Sequence, residues 1–380
     1  MMWNWQQDAW PEFSWDRHRL TRAEALFAEG AGVVIGASKH LSVEELNSLT
    51  IELMSHEAVD TSAIEGEPLD RDSVQSSIRR HLGLQTDHRR ASPAEAGIAE
   101  MMVDLYERSA APLTEGVLFQ WHRLITNGRN DLKDIGRYRT HVDPMQIVSG
   151  PLHAPKVHFE APPSDEVANE MARFWQWLER SGPAGDAALP AVTRAGLAHL
   201  WFESIHPFED GNGRVGRAVS EKILAQSLSA PAITGMASTL LKHRKAYYSE
   251  LERAHRELEI TDWLLWFAAN AIEAQQHTLR QVEFVLEKAR LLDRIGSQLN
   301  ERQERALLRL FAAGPDGFLG GMSAANYMKI TTAPPATATR DLAALAGMGA
   351  VRRTGENKST RYHLDIAVLP AASVTVVDIL

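Results

Sequence analysis

Residues 206–217 read HPFEDGNGRVGR, which places a histidine, an aspartate, three glycines and two arginines within twelve residues. The segment before it, VTRAGLAHLWFESI at 192–205, has apolar residues at positions 192, 197, 200, 201 and 205. That spacing is typical of a helix and not of a buried strand. A second helix is predicted after the glycines, with Val215, Val219 and Ile223 on its apolar side. The stretch is therefore a tight loop between two helices.

The loop contains GNGRVG at 211–216, which matches the nucleotide-binding pattern G-x-G-x-x-G. The dinucleotide-binding form of that pattern requires a strand before the glycines and an acidic residue about twenty positions later. The helical spacing before His206 argues against such a strand. The NTPase loop requires Gly-Lys-Ser/Thr, and a protein kinase requires an Asp-Phe-Gly motif; the sequence has neither.

The remaining interpretation is a helix start that binds phosphate. The first N–H groups of a helix have no intrahelical partners and carry partial positive charge, and glycines let a phosphate approach them. Guanidinium groups at i and i+3 lie on one side of the first turn and suit phosphate oxygens. The predicted nucleotide-binding residues are Gly211, Asn212, Gly213, Arg214, Val215, Gly216 and Arg217.

Two residues before this helix predict chemistry at the same place. Asp210 is expected to hold Mg²⁺ against the phosphates. His206 is expected to act as a general base for an incoming hydroxyl. Taken singly, His206 would be interpreted as a core histidine and the arginines as members of surface ion pairs. Their combination on one glycine turn favours the phosphate site.

HPFEDGNGRVGR resembles the Fic signature His-x-Phe-x-(Asp/Glu)-Gly-Asn-Gly-Arg-x-x-Arg and matches it at every fixed position. The surroundings agree: IGRYR at 135–139, a predicted hairpin at 146–159 with EAPP after it, and KAYYSEL at 245–251 are similar to segments around the Fic flap and nucleotide base. The resemblance covers roughly residues 114–270. The tryptophan-rich start resembles the N-terminal extension of one bacterial Fic subgroup, although rings in such an arm are also expected simply to dock on a neighbouring domain.

The resemblance implies an α-helical core that transfers AMP from ATP to a hydroxyl of a target protein, with release of pyrophosphate. In such an enzyme His206 would deprotonate the target Ser, Thr or Tyr, and Asp210 would hold Mg²⁺ between the α- and β-phosphates. Asn212 and Arg214 would bind phosphates, and Arg217 would bind the γ-phosphate. The flap would align the target as an added strand, through Ile147, Val148, Ser149 and Gly150. Tyr248 would line the adenine pocket.

A second motif, TSAIEG at 61–66, resembles the inhibitory pattern (Ser/Thr)-x-x-x-Glu-(Gly/Asn) of the family. Thr61 and Glu65 are four residues apart and share a helix face. Glu65 falls in the last turn of a helix predicted over 42–66, where a carboxylate opposes the helix dipole and a cation would compensate it. The resemblance supplies Arg217 as that cation, which predicts that ATP binds unproductively.

Several alternatives stay open. If only the short motif is considered, Glu65 would be interpreted as an ordinary solvated surface acid. In some members of the family the same glutamate helps to remove AMP from a modified target, so de-AMPylation is an alternative activity. Relatives also use other nucleotides or phosphocholine-type donors. A homodimer is a further expectation.

The expected fold is mainly α: a Fic helical core with a β-hairpin flap, and a C-terminal winged helix-turn-helix-like domain. Further helices are predicted at 94–108, 114–126, 164–180, 191–205, 216–228 and 243–290. The predicted division of the chain is 1–110 as an N-terminal inhibitory region, 114–270 as the Fic core, 271–299 as a connecting helix and 300–380 as the winged-helix-like domain.

The C-terminal region suggests a function of another class. Residues 324–363 carry six Lys or Arg (329, 340, 352, 353, 358 and 361) against two acids (341 and 356). A winged helix inserts its second helix into the major groove and lays its wing on phosphates, so a DNA-binding regulator is the rival hypothesis. The predicted recognition helix, DLAALAGMG, has few side chains that read bases, and such modules also dock proteins.

Composition limits the remaining classes. The 380 residues have a net charge of −9, so the whole molecule lacks the charge balance of a nucleic-acid-binding protein. There are no cysteines, which excludes disulfides and thiolate metal sites. No apolar run approaches the roughly 18 residues of a membrane span, and the N-terminus lacks the features of a signal peptide. A protein of the cytoplasm without membrane partners is expected.

Overall fold

The computed structural model describes residues 2–86, 89–151, 155–228, 234–318 and 320–380. The chain divides into two compact units. Unit 1 contains residues 1–32, 50–275 and 373–380, and unit 2 contains residues 33–49 and 276–372. Both are built mainly from helices, which confirms the predicted fold class. The predicted four-part division of the chain stays a prediction.

The helices up to residue 295 follow one another in sequence, and the longest connection, 126–166 between α5 and α6, contains the flap hairpin. They are α1 (Arg17–Ser38), α2 (Val43–Ile64), α3 (Arg71–His81), α4 (Pro93–Glu107), α5 (Glu115–Ile125), α6 (Val167–Arg180), α7 (Ala191–Ile205), α8 (Asn212–Leu228), α9 (Met236–Lys242), α10 (Arg244–Ala254) and α11 (Thr261–Ile295). Five of the seven predicted helices match observed ones to within three residues at each end; these are α2, α4, α5, α6 and α7.

Helices α7 and α8 form the centre of unit 1. Every residue from Val192 to Ile205 is buried, and α8 is buried from Arg214 to Ala225. A helix that is enclosed on all sides is shielded by neighbours on every face, so its end cannot shift without disturbing them. The loop 206–211 between these two helices is thus supported by the most enclosed part of the unit.

The predicted flap is a two-stranded antiparallel hairpin of β1 (Gln146–Ser149) and β2 (Lys156–Glu160). Residues 152–154 of the flap lie outside the described residues. Phe159 is the buried ring of β2; it stacks on His255 at 3.9 Å and meets the edge of Trp3 at 5.4 Å. One aromatic anchor therefore fixes the base of the hairpin.

The tryptophan-rich N-terminus docks on the rest of unit 1. Trp5 Nε1 donates to the Glu160 carbonyl at 2.6 Å, and Trp10 Nε1 donates to Glu170 at 2.8 Å. Asn4, fully buried, donates to Ser204 on α7 at 2.8 Å. The rings pack into the core with their polar atoms satisfied, as the docking interpretation of this arm predicts.

Three differences from the sequence predictions concern the bounds and the number of the helices. The helix predicted over 243–290 is broken between α10 and α11, because Ser14 pairs with the backbone of Leu258 (2.8 Å) and Ile260 (2.9 Å). Helix α8 begins at Asn212 and not at 216, so the glycines form part of its first turn. Helices α1, α3 and α9 have no predicted counterpart.

Unit 2 contains α12 (Glu301–Phe311), α13 (Ala324–Thr331) and α14 (Pro335–Gly347), followed by the antiparallel strands β3 (Val351–Thr354) and β4 (Arg361–Leu364). This is the order of elements that the sequence predicts there. Asp341 of α14 is buried and accepts hydrogen bonds from Arg302 (2.9 Å) and the Tyr327 hydroxyl (3.0 Å). This polar centre links the three helices. A short helix, α15 (Val376–Ile379), belongs to unit 1.

Candidate active site

His206 ends α7 in a left-handed conformation, with φ 50° and ψ 60°. A side chain other than glycine is uncommon there, so the surrounding contacts must hold it. Its N–H donates to the Phe202 carbonyl at 2.9 Å, which closes the last turn of α7. This turn places His206 directly before the glycine loop that follows.

Arg139 supplies most of the external support for this turn. Its guanidinium donates to the carbonyls of His206 (2.8 Å), Pro162 (2.6 Å) and Ile205 (3.3 Å). Its backbone N–H donates to the Pro207 carbonyl at 2.9 Å. Burial lowers the pKa of Arg139 to about 10, which leaves it charged at neutral pH. The sequence contained this residue in IGRYR but gave no indication of its partners.

The imidazole of His206 is neutral at physiological pH, because burial and then the nearby Arg139 charge lower its pKa to about 4. Nδ1 lies 3.3 Å from the Glu203 carbonyl, which can only accept a hydrogen bond. The proton therefore sits on Nδ1, and Nε2 keeps a free lone pair. Burial and the charge of Glu65 raise the pKa of Glu203, one turn earlier on α7, to about 8.

The loop between His206 and α8 is closed by Asn212. Its Oδ1 accepts from the Phe208 N–H and its Nδ2 donates to the Phe208 carbonyl, both at 2.9 Å. Phe208 is fully buried and stacks on His122 at 4.0 Å. The Asn212 side chain is thus used within the loop, while Gly211 (φ 83°) supplies the turn and the first N–H groups of α8 face the same loop.

A second histidine supports the loop from α5. The Gly136 N–H donates to His122 Nδ1 at 2.9 Å, so His122 Nε2 carries the proton and donates to the Asp210 carbonyl at 3.0 Å. Burial lowers the pKa of His122 to about 4. His122 was not among the predicted site residues, since a lone histidine in a helical segment gives no sign of what it contacts.

Arg214 and Arg217 are almost fully buried on the first turns of α8, with side chains 4% and 2% exposed. Arg217 pairs with Glu65 at 2.7 Å and donates to the Thr61 hydroxyl (2.7 Å) and carbonyl (2.9 Å). Burial alone would lower the pKa of Arg217, but the charge of Glu65 raises it above its ordinary value. The structure therefore brings Thr61, Glu65 and Arg217 together, as the inhibitory motif predicts.

Glu65 reaches this position because α2 ends in a tight glycine turn. The N–H of Gly66 donates to the Ala63 carbonyl (3.1 Å) and the N–H of Glu67 to the Ser62 carbonyl (3.0 Å), with Gly66 at φ 85°. The Glu65 carboxylate then lies against Gly213: a Cβ at position 213 would clash with Glu65 Oε1. A carboxylate thus covers the start of α8.

Three further ion pairs were not predicted. Glu67, two residues after Glu65, pairs with Arg214 at 2.5 Å. Arg129 pairs with Asp210 at 2.6 Å and with Asp131 at 2.6 Å. The predicted metal ligand is therefore in contact with a guanidinium.

The residues fit a nucleotide with Mg²⁺. Arg214 Nε and Arg217 Nη1 are buried donors that have no hydrogen-bond partner among the described residues, so an anion has unused groups to bind. Asp210, 40% exposed, offers one carboxylate. In the described part of the chain no three acidic or histidine side chains form a metal site. One carboxylate plus substrate phosphates is the usual way in which proteins hold Mg²⁺.

The remaining predicted residues lie around this centre. Tyr248 is 39% exposed, and its hydroxyl donates to the Ile64 carbonyl at the end of α2 (3.0 Å). On the flap, Ile147 is half-buried, while Val148, Ser149 and Gly150 are exposed. Their roles toward adenine and a target strand stay predictions. No helix within the described residues has the length and apolar character needed to cross a bilayer.

Comparison with known proteins identifies two regions. Residues 3–84 match a domain of unknown function (DUF4172), and residues 112–224 match the Fic/DOC family. A probable protein adenylyltransferase of Aquifex aeolicus is 32% identical over 96 residues, which are 25% of this chain and 26% of that protein. A uridine 5′-monophosphate transferase of Xanthomonas campestris is 30% identical over 152 residues, 39% of this chain and 27% of that protein.

This chain thus spans about a quarter of the length of those curated relatives. A crystal structure of a Fic family protein from Desulfovibrio desulfuricans has the same fold. It is 22% identical, with a TM-score of 0.52, over 90% of this chain and 96% of that one. Residues 112–224 of this chain are therefore similar to the Fic/DOC family.

Proposed function

We propose that this protein is an adenylyltransferase that moves AMP from ATP to a hydroxyl of a target protein, and that Glu65 holds it in an inhibited form. The observation that carries the proposal is a neutral histidine with a free Nε2 beside a helix start that has two buried arginines. The Fic/DOC match and the names of relatives support the same activity.

In the proposed reaction His206 Nε2 accepts the proton of the target hydroxyl. The hydroxyl oxygen forms a bond to the α-phosphorus of ATP. The bond between the α-phosphorus and the oxygen that bridges it to the β-phosphorus breaks, so pyrophosphate leaves. Arg214, Arg217 and the first N–H groups of α8 bind the phosphates and stabilise the charge on the leaving group. Mg²⁺, held by Asp210, supplies further neutralisation of phosphate charge when it is bound.

Inhibition follows from competition for the same guanidinium. The Glu65 carboxylate already pairs with Arg217 Nη2, and it lies against Gly213, where a phosphate would have to approach. A nucleotide must displace this carboxylate or bind without the Arg217 contact. Replacing Glu65 with Gly removes the competitor and leaves the arginine available.

Label transfer tests the activity and the inhibition together. Wild type, Glu65→Gly and Glu65→Gly/His206→Ala are incubated with Mg²⁺ and ATP labelled at the α-phosphate, alone and with cell lysate. We expect label on protein with Glu65→Gly, and little with the other two. Equal labelling by wild type would contradict the inhibition, and equal labelling by the double variant would contradict the role of His206.

The nucleotide and the direction of the reaction are tested in the same system. One relative is named a uridine 5′-monophosphate transferase, so α-labelled UTP is the second donor to try. If only UTP labels protein, the proposed donor is wrong. A target labelled by Glu65→Gly is then mixed with wild type; loss of label that requires Glu65 would establish AMP removal as a second activity.

A second candidate function, DNA binding, belongs to unit 2. In the β3–β4 hairpin Arg352, Arg353 and Lys358 are exposed, as a winged helix would use them. We expect the full chain to shift duplex DNA at low salt, and Arg352→Ala/Arg353→Ala to weaken that shift. An unchanged shift in the double variant, or no shift at low salt, would favour a protein-docking role for this hairpin.

A further inference from the structure

Four charged side chains connect the end of α2 to the predicted metal ligand. Glu67 pairs with Arg214 at 2.5 Å, and its other oxygen lies 3.9 Å from Arg129. Arg129 in turn pairs with Asp210 at 2.6 Å. These contacts are separate from the pair between Glu65 and Arg217, because they use a different acid and a different arginine.

The backbone fixes both new members of this cluster. Glu67 directly follows Gly66, so the turn that ends α2 directs Glu65 and Glu67 together toward α8. Arg129 follows Gly128 (φ 90°) in the turn after α5, where its N–H donates to the Thr126 carbonyl at 3.0 Å. Each residue lies in the turn that follows a helix, so its backbone is already ordered and the pairs form with little further loss of chain entropy.

Glu67 and Arg129 each occupy a position that the proposed nucleotide or its Mg²⁺ would take. Arg214 is 4% exposed and its guanidinium already holds an anion, the Glu67 carboxylate. Asp210 already holds a cation, the Arg129 guanidinium. A phosphate has a charge of the same sign as Glu67, and a divalent cation has a charge of the same sign as Arg129. They would compete with these two side chains for Arg214 and Asp210.

We propose that Glu67 and Arg129 are further residues of the nucleotide site: Glu67 fills the anion position at Arg214, and Arg129 fills the cation position at Asp210. This rests on the proposed nucleotidyl transfer and adds a second inhibitory contact to it. Nucleotide displaces Glu67, Mg²⁺ displaces Arg129, and the two displacements favour each other because Glu67 and Arg129 also attract one another. The freed Arg129 guanidinium then lies beside the phosphates.

Binding, and not transfer, is the direct test. The affinity of a non-hydrolysable ATP analogue is measured by titration calorimetry over a series of Mg²⁺ concentrations. The proteins are wild type, Glu67→Gln, Arg129→Gln, Glu65→Gly and Glu65→Gly/Glu67→Gln. Gln keeps the shape of Glu67 without its charge. Glu12→Gln, an exposed acid of the N-terminal arm, is the matched control for one lost negative charge.

We expect Glu67→Gln to tighten binding about tenfold, within the usual range of coupling between sites, both alone and in the Glu65→Gly background. Arg129→Gln should lower the Mg²⁺ concentration that gives half-maximal binding. Circular dichroism confirms that each variant is folded.

The outcomes separate this inference from the proposed function. If Glu65→Gly tightens binding while Glu67→Gln and Glu12→Gln behave like wild type, the role of Glu67 is wrong and the proposed function stands. If Arg129→Gln leaves the Mg²⁺ requirement unchanged, Arg129 does not occupy the cation position. If the analogue binds to none of the proteins, both the inference and the nucleotide site itself are overturned.

Discussion

Arg139 joins the end of α7 to the chain that follows the flap through hydrogen bonds to backbone carbonyls and to Ser164. Arg139→Lys keeps the charge but cannot reach all these acceptors with one ammonium group. Since a buried carbonyl left unpaired costs ~1–3 kcal/mol, we expect Arg139→Lys to lower the free energy of unfolding by about 3 kcal/mol. Urea unfolding followed by circular dichroism measures this loss.

The matched control is Arg137→Lys, two positions earlier. Arg137 is 61% exposed and pairs with Asp134, so its replacement should change stability by less than about 0.5 kcal/mol. Equal losses in the two variants would show that the buried contacts of Arg139 contribute nothing particular to the turn at His206.

At the scale of single residues, the sequence predicts candidate site residues where their pattern is local. His206, Asp210 and the arginines of α8 follow one another within twelve positions, and their chemistry could be inferred from type and spacing. Arg139 and His122 could not be found in this way. Their roles depend on burial and on carbonyl partners 67 and 88 residues away, which a lone histidine or arginine in a sequence does not reveal.

At the scale of elements, the turn that ends α2 controls where both acids lie. Gly66 has φ 85° and open space around its Cα, so Gly66→Ala meets a backbone penalty and no clash. We expect a loss of ~1 kcal/mol in unfolding free energy, and a rise in label transfer above wild type because Glu65 is held less firmly. Unfolding in urea and the α-labelled ATP assay measure the two effects.

Gly83→Ala is the matched control for that variant. Gly83 ends α3 with the same pair of hydrogen bonds and φ 70°, also in open space. It should lose similar stability without a gain in transfer. A similar gain in both variants would mean that general loosening, and not the position of Glu65, activates the enzyme.

A pair of buried acids makes the packing of α2 depend on pH. Glu57 of α2 accepts from the Ala237 N–H at 2.9 Å, and Glu221 of α8 accepts from the Thr234 hydroxyl at 2.7 Å. Burial raises the pKa of Glu221 to about 6, and burial with the charge of Glu221 raises the pKa of Glu57 well above 4.5. Both folded pKa values exceed the unfolded ones, so stability is lost as pH rises through about 6.

Glu57→Gln should reduce that dependence. We expect the unfolding free energy of wild type to fall more than that of Glu57→Gln between pH 5 and pH 8. The difference between the two proteins isolates Glu57 from the buried histidines, whose lowered pKa values act in the opposite direction. Parallel curves for the two proteins would mean that Glu57 does not ionise in this range.

Element prediction failed where contacts outside the apolar periodicity of a helix decide the outcome. The break between α10 and α11 depends on Ser14, more than 240 residues earlier, which takes the backbone groups of Leu258 and Ile260. The start of α8 moved to Asn212 because the Asn212 side chain closes the preceding loop. The spacing of apolar residues reflects the faces of a single helix, so it does not predict either contact.

At the scale of the whole molecule, the proposed inhibition and nucleotide binding form one equilibrium. The contacts of Glu65 and Glu67 stabilise the nucleotide-free fold, and a nucleotide that displaces them must offset their loss. A ligand that binds only the folded state stabilises it by RT ln(1 + [L]/Kd), about 2.7 kcal/mol at a hundred times Kd. Weaker effective binding in wild type therefore predicts a smaller thermal shift.

We expect Glu65→Gly to have a lower melting temperature than wild type without ligand, because Arg217 loses its buried partner. With Mg²⁺ and a saturating non-hydrolysable ATP analogue, its melting temperature should rise by several degrees more than that of wild type. Glu65→Gly/His206→Ala should show the same rise, since His206 acts on the hydroxyl and not on the phosphates. Differential scanning fluorimetry measures all three. Equal rises in wild type and Glu65→Gly would mean that the Glu65 carboxylate does not compete with the nucleotide, and a rise lost with His206 would place that histidine in binding instead of proton transfer.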